Sequence, residues 1–255
     1  MKSLIKSELN RMIRSRKNIV LFILSVVLFI GAASYIRIFN VGFYDPKITT
    51  ELNCLNFAPF ILRECHLFLL FVFCLMIFID SFNNDMTSGV YRLIMIRPYK
   101  KRDFILSKII SCAIVTGIFM FLLYVIGTLF GYMFLEKVDY TTFFYIKGNF
   151  TPIKALIYNF IFYALEYLII LSALSISLLV SLVSFNSVIA YLVSLALMIG
   201  AIYISEAFSF FLTNTTSIFD VLSQRNHSFL IVNLLIIIIG VVFSIEFFKK
   251  KDYFY

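Results

Sequence analysis

Six long apolar runs, separated by short polar or basic stretches, set the limits on what this chain can fold into. They fall at about Ile19–Ile36, Pro59–Ile79, Phe104–Phe134, Ile153–Val183, Val188–Leu212 and Phe229–Phe248. Each is near the roughly 20 residues that an α-helix needs to cross a bilayer. Hydrophobic residues make up 62% of the chain and charged residues 14%, against roughly half and a quarter in a soluble domain. A soluble core could not use that much apolar surface. The predicted fold class is all-α: a polytopic membrane protein with six transmembrane helices. The fourth and fifth runs are divided only by Ser184, Phe185, Asn186 and Ser187. Together they span about two membrane thicknesses, so two helices and a tight turn fit better than one broken element.

Lysine and arginine set the expected orientation. Lys2, Lys6, Arg11, Arg14, Arg16 and Lys17 precede the first run; Arg92, Arg97, Lys100, Lys101, Arg102 and Lys108 follow the second; Lys249, Lys250 and Lys251 follow the sixth. With six spans these regions share one side, and their basic excess predicts that side to be the cytoplasm, with both termini inside. The net charge of +8 is then explained by topology, and a nucleic-acid partner is not expected. The basic start, apolar run and small residues Gly31 to Ser34 also have the form of a signal peptide. Cleavage would leave five spans and put the remaining basic clusters on opposite sides, so the first run is read as a span.

Residues 1–17 form a separate unit before the transmembrane domain of residues 18–255. Leu4, Ile5, Leu9, Met12 and Ile13 recur at helical spacing, with the cations mostly off that face, predicting an amphipathic helix in the membrane interface. The plainer alternative is a topogenic flank without fixed structure.

Between Asp80 and Lys108 lies a polar, basic segment that contrasts with everything around it. Asp80 ends the second run. Asn83, Asn84, Asp85, Thr87 and Ser88 offer helix caps and Gly89 a break. Val90 to Ile96 is amphiphilic, and Arg97-Pro98 marks a turn. A passive anchor needs only basic residues. This segment adds Asp80, Asp85 and Asp103 to a Gly-Val-Tyr-Arg run, which suits a short cytoplasmic helix that a soluble subunit could grip.

The order of these parts resembles the permeases of type-2 ATP-binding-cassette exporters. An amphipathic helix precedes six spans, a coupling helix lies between spans two and three, and a basic tail follows. The motif of small bacterial members is matched by Asp85, Ser88-Gly89, Tyr91 to Ile94, Pro98, Arg102 and Lys108, and the tail F-F-K-K-K-D-Y-F-Y is similar too. Family members often have Glu where Asp85 stands. The resemblance implies that a coupling segment over residues 80–103, with Asp80, Asn84, Asp85, Met86, Gly89, Tyr91, Arg92, Pro98 and Arg102, docks a cytoplasmic ATPase subunit. It also implies pairing with a second permease chain, identical or not, in a bacterial plasma membrane. The chain has no GxxxxGK[ST] sequence, so ATP and Mg are expected on the partner ATPase, and neither cofactor nor catalytic residue on this chain. The cargo the resemblance suggests is amphipathic or peptide-like, with antimicrobial-peptide immunity as the narrow form.

Polar residues within the apolar runs supply further candidates. Glu166, flanked by Tyr163 and Tyr167, sits mid-run; a carboxylate there lines a path, pairs with a base, or braces helices as the neutral acid. With Glu206 these residues are the candidate substrate path. Arg63, Glu64 and His66 form an expected polar ring or gate near the outer start of the second run. His66 and His227 do not make a metal site by spacing. Cys54 and Cys65 could pair if their loop is extracytoplasmic. Gly127 and Gly131, and the serines from Ser172 to Ser184, suit close helix packing. Residues 213–228 suggest a short interfacial helix. The competing readings are a secondary transporter, for which no inverted repeat is visible, and an integral membrane enzyme of lipid metabolism. The aspartate pattern around Asp80 and Asp85 lacks the second Asp pair such an enzyme would need.

Overall fold

The computed structural model describes residues 1–39, 44–45, 48–84, 100–146 and 148–250. Six of its helices are long and apolar enough to cross a membrane, and the protein is a multi-pass, all-α membrane protein. With no water in hydrocarbon, every backbone N–H and C=O must be bonded within the segment, and the helix does this for a single strand of chain. A two-residue hairpin, β1 (Tyr44–Asp45) and β2 (Ile48–Thr49), decorates the first loop.

Helix α1 (Lys2–Arg14) is followed by an extended Ser15 and then by α2 (Arg16–Phe39), the first span. The second span is composite: α3 (Phe57–Leu67), a π-helical stretch Phe68–Cys74, α4 (Leu75–Ile79) and a second π-helical stretch Asp80–Asn84. The wide turn is visible at Leu75, whose N–H reaches the Leu70 carbonyl five residues back. The third span is α5 (Lys101–Phe134) and the fourth α6 (Pro152–Val183), which carries its proline in the first turn, where no N–H is needed. The fifth span, α7 (Ser187–Ile204), is capped by Asn186, whose side chain accepts from the Val188 N–H at 3.1 Å. A 3-10 helix (Glu206–Phe211), α8 (Asn214–Leu222) and the sixth span, α9 (Ser228–Lys250), complete the chain.

The tight turn between the fourth and fifth spans is present. The fifth span is shorter than the apolar run predicts. The chain turns extended at Ser205 (φ −157°, ψ 138°), and the rest of the run, through Leu212, folds over the end of the bundle as the 3-10 helix. Hydropathy could not separate these, because a buried cap is as apolar as a span.

The spans are not equivalent. Two-thirds of the second and fourth spans is buried (67% each), against 22%, 17% and 22% for the first, fifth and sixth. Spans two and four form the centre, and the others lay one face against it and turn the opposite face outward. Small residues set the contacts. A Cβ on Gly240 would lie 2.7 Å from Ser175 Cβ, so α9 rests directly on α6. Ser172 Oγ donates to Asn233 Oδ1 at 2.6 Å across the same seam. Gly131 lies where a Cβ would be 2.9 Å from the Cys54 carbonyl oxygen, and one on Gly127 3.2 Å from the Tyr163 hydroxyl. The Gly127–Gly131 pair therefore serves packing within the chain.

Candidate functional site

Two clusters of buried polar side chains stand out, one at each end of the bundle. The first lies at the basic end, under α1. Lys108, two turns into α5, is fully buried. Its Nζ donates to Glu8 Oε2 at 3.2 Å and to the Ser81 carbonyl at 3.0 Å, and lies 5.1 Å from the centre of the Phe104 ring. Arg11 donates to the same Glu8 oxygen at 2.6 Å. The amphipathic helix therefore does not simply float on the bilayer. It buries Glu8 and Met12 against the third span while Ile13 faces outward. Asn18 Nδ2 donates to the Met12 carbonyl at 2.9 Å and closes the corner between α1 and α2.

The neighbouring contacts tie down the end of the second span. Lys17 Nζ reaches Asp80 Oδ1 at 3.4 Å. Asn83, fully buried, donates to the carbonyls of Ser181 and Ser184 at 3.1 and 3.0 Å and accepts from Ser187 Oγ at 2.9 Å. One amide thus brackets the turn between spans four and five.

Of the predicted coupling residues, Asp80 is half-buried in the last turn of span two and Arg102 is exposed at the start of α5. Asn84 ends the second π-helical stretch. Asp85, Met86, Gly89, Tyr91, Arg92 and Pro98 lie outside the described residues, as does the tail 251–255. Both borders of the segment are held: Ser81 on its N-terminal side and Lys108 on its C-terminal side are joined by a hydrogen bond, and α1 is keyed to both through Glu8.

The second cluster sits in the other half of the bundle. Glu166 and His66, each about 1% exposed at the side chain, are paired at 2.6 Å between Oε1 and Nδ1. Asn214 Nδ2 donates to Glu166 Oε2 at 2.7 Å, and His66 Nε2 donates to the Phe211 carbonyl at 3.1 Å. A carbonyl can only accept, so Nε2 carries a proton. One further proton lies between Nδ1 and Oε1. Oε2 accepts from the Asn214 amide whichever of the two atoms carries that proton. The pair is neutral overall, as burial in hydrocarbon requires.

The candidate substrate-path residues are placed as follows. Glu166 is enclosed and braces spans two and four against the cap after span five. Tyr163 donates to the Ala58 carbonyl at 3.0 Å and Tyr167 to the Ala113 carbonyl at 2.6 Å, so both hydroxyls are helix ties as well. Glu206 is exposed in the 3-10 helix and is not brought to them. The expected polar ring also divides: Arg63 and Glu64 are exposed neighbours 3.8 Å apart, while His66 turns inward. All four cysteines are free and buried, Cys54 and Cys65 included. Among the described residues no group of three metal-ligating side chains comes together. Asn214 is buried, its amide on Glu166 and its Oδ1 accepting from the Thr215 hydroxyl at 2.9 Å.

Sequence reasoning missed Glu8 and the inward turn of His66. Both had a signal. Glu8 lies on the α1 face of Leu4, Ile5 and Met12, and His66 lies four residues from both Leu62 and Leu70.

Residues 19–254 match a family described as "Protein of unknown function (DUF2705)", and the chain belongs to that family. A search of curated proteins found no match.

Proposed function

We propose that this DUF2705 member is the membrane-spanning permease subunit of an ATP-driven exporter. It sits in a bacterial plasma membrane with both termini cytoplasmic and is powered by a separate ATPase that docks on residues 80–103. The observation that carries the reading is the buried Lys108, held by Glu8 and by the Ser81 carbonyl. The polar segment leaves span two and enters span three from two points that are bonded together. A force applied to the segment would reach α1, the central second span and the third span as one body, which a loop serving only topology does not require. The basic excess at this end supports its cytoplasmic placement. The partners are a cytoplasmic ATP-binding-cassette ATPase and a second permease chain. The cargo, on the resemblance alone, is amphipathic or peptide-like.

A pull-down from native membranes in mild detergent tests this. A soluble P-loop ATPase should copurify in fixed stoichiometry, and Gly89→Trp or Arg92→Glu should abolish its recovery while membrane insertion persists. Recovery of the chain alone after crosslinking, or normal ATPase recovery with both variants, overturns the assignment. A second reading, a proton-coupled secondary transporter, draws on the His66–Glu166 pair, since intramembrane ionisable pairs recur in such proteins. It predicts cargo movement that follows an imposed proton gradient without any ATPase.

A further inference from the structure

Two adjoining cavities at the basic end are unused by the proposed coupling role. One, of about 190 Å³, lies between α1 and the end of span two, and its polar lining includes Arg11, Ser15, Asn18, Asp80 and Ser81. The other is a groove of about 650 Å³ between spans one, two and five, lined by apolar side chains such as Val20, Leu21, Met76 and Val188, with Lys17 at its polar end. The two share Asn18 and Asp80 as a common wall.

The polarity changes in register on all three helices. Lys17 stands near the start of α2, Asp80 near the end of the second span and Ser187 at the start of α7. About one turn further into the membrane each gives way to an apolar or aromatic residue: Leu21, Met76 and Tyr191. A polar cavity therefore adjoins an apolar groove that runs along membrane-spanning helices. That is the polarity profile of a single phospholipid.

Charge selects the kind. The charged lining groups are Arg11, Lys17 and Asp80, a net single positive charge. Glu8 faces Arg11 from α1, but it also neutralises Lys108. Lys17 Nζ is 73% exposed at the side chain and only loosely held by Asp80 at 3.4 Å, so it is available to a second anion. Lys2, Lys6, Arg14 and Arg16 are exposed on the same end. We propose that this composite site holds one anionic phospholipid, its phosphate against Lys17 and Arg11 and an acyl chain in the groove between spans one and five.

The test uses the full chain, purified in mild detergent and stripped of lipid, titrated with phosphatidylglycerol or phosphatidylcholine of matched acyl chains and read by native mass spectrometry. The expected result is retention of one phosphatidylglycerol at concentrations where phosphatidylcholine does not bind. Lys17→Gln should weaken phosphatidylglycerol about fivefold, the effect of one lysine near an anionic headgroup, with no change in lipid-free thermal unfolding. Val20→Trp, which fills the groove, should weaken both lipids. Equal retention of the two lipids, or unchanged retention by both variants, overturns the proposal. So does an interchain disulfide formed by Val20→Cys in native membranes, which would put a second copy of the chain in the groove. None of these results depends on whether an ATPase binds.

Discussion

Among the described residues, two buried acid–base pairs solve the same problem differently. Glu8–Lys108 and His66–Glu166 each join residues a hundred positions apart; the first draws the peripheral α1 onto a span, and the second joins the two central spans. At the basic end Glu8 serves two cations, Lys108 and Arg11, and keeps a tenth of its side-chain surface exposed. In the other half His66 and Glu166 have one ionic partner each and are sealed. Removing one member should therefore matter more in the sealed pair, where the partner left behind is buried with a polar atom unsatisfied.

The largest effect is expected from Glu166→Ala. It should cost about 3–5 kcal/mol, the range for breaking a buried pair on one side, read as a loss of thermal stability in detergent. The double change His66→Leu with Glu166→Leu should recover most of that loss, since a well-packed apolar pair replaces a buried polar pair. If the double variant is no better than the single, the pairing argument fails. At the other cluster, Lys108→Met should cost less than Glu8→Ala, because Glu8 keeps the Arg11 guanidinium whereas Lys108 loses the Glu8 carboxylate. Equal losses would mean that Arg11 does not compensate.

Asn214→Ala comes next. It removes a hydrogen bond to a buried carboxyl group, about 1.5–3 kcal/mol, and should speed amide exchange in α8 while leaving α1 unchanged. Uniform exchange across both ends would show that the clusters are not independent. Gly240→Ala forces a methyl group against Ser175 and should cost about 1–3 kcal/mol, whereas Gly200→Ala, with open space around it, should be neutral. The smallest effect is that of Lys17→Gln on the lipid-free protein. It should stay within about 1 kcal/mol, as for exposed ion pairs generally.

The fold was legible because the bilayer imposes a single rule on every span. An apolar run of sufficient length must become a helix, and the six runs did. The boundary that failed, at Ser205, failed because Phe210 and Phe211 beyond it are buried against protein instead of lipid. Both environments select Phe and Leu alike.

The amphipathic helix was legible from its spacing, but its partner was not. Spacing shows that Leu4, Ile5 and Met12 share a face; it does not say whether that face meets lipid or the third span. Glu8, an acid on that apolar face, and Lys108, a cation inside an apolar run, were each visible as an oddity. Nothing in a linear sequence says that two oddities a hundred residues apart cancel.

The sequence by itself determined the membrane class, the number of spans and the basic asymmetry of the two ends, because these depend on local composition and on the bilayer as solvent. Only the tertiary structure decided that spans two and four are the centre, that α1 is keyed to span three, and that Glu166 holds His66 and Asn214. Those outcomes depend on which buried charges and hydroxyls meet. That is fixed by helix packing in three dimensions, where leaving any one of them unpaired in a medium without water would cost several kcal/mol.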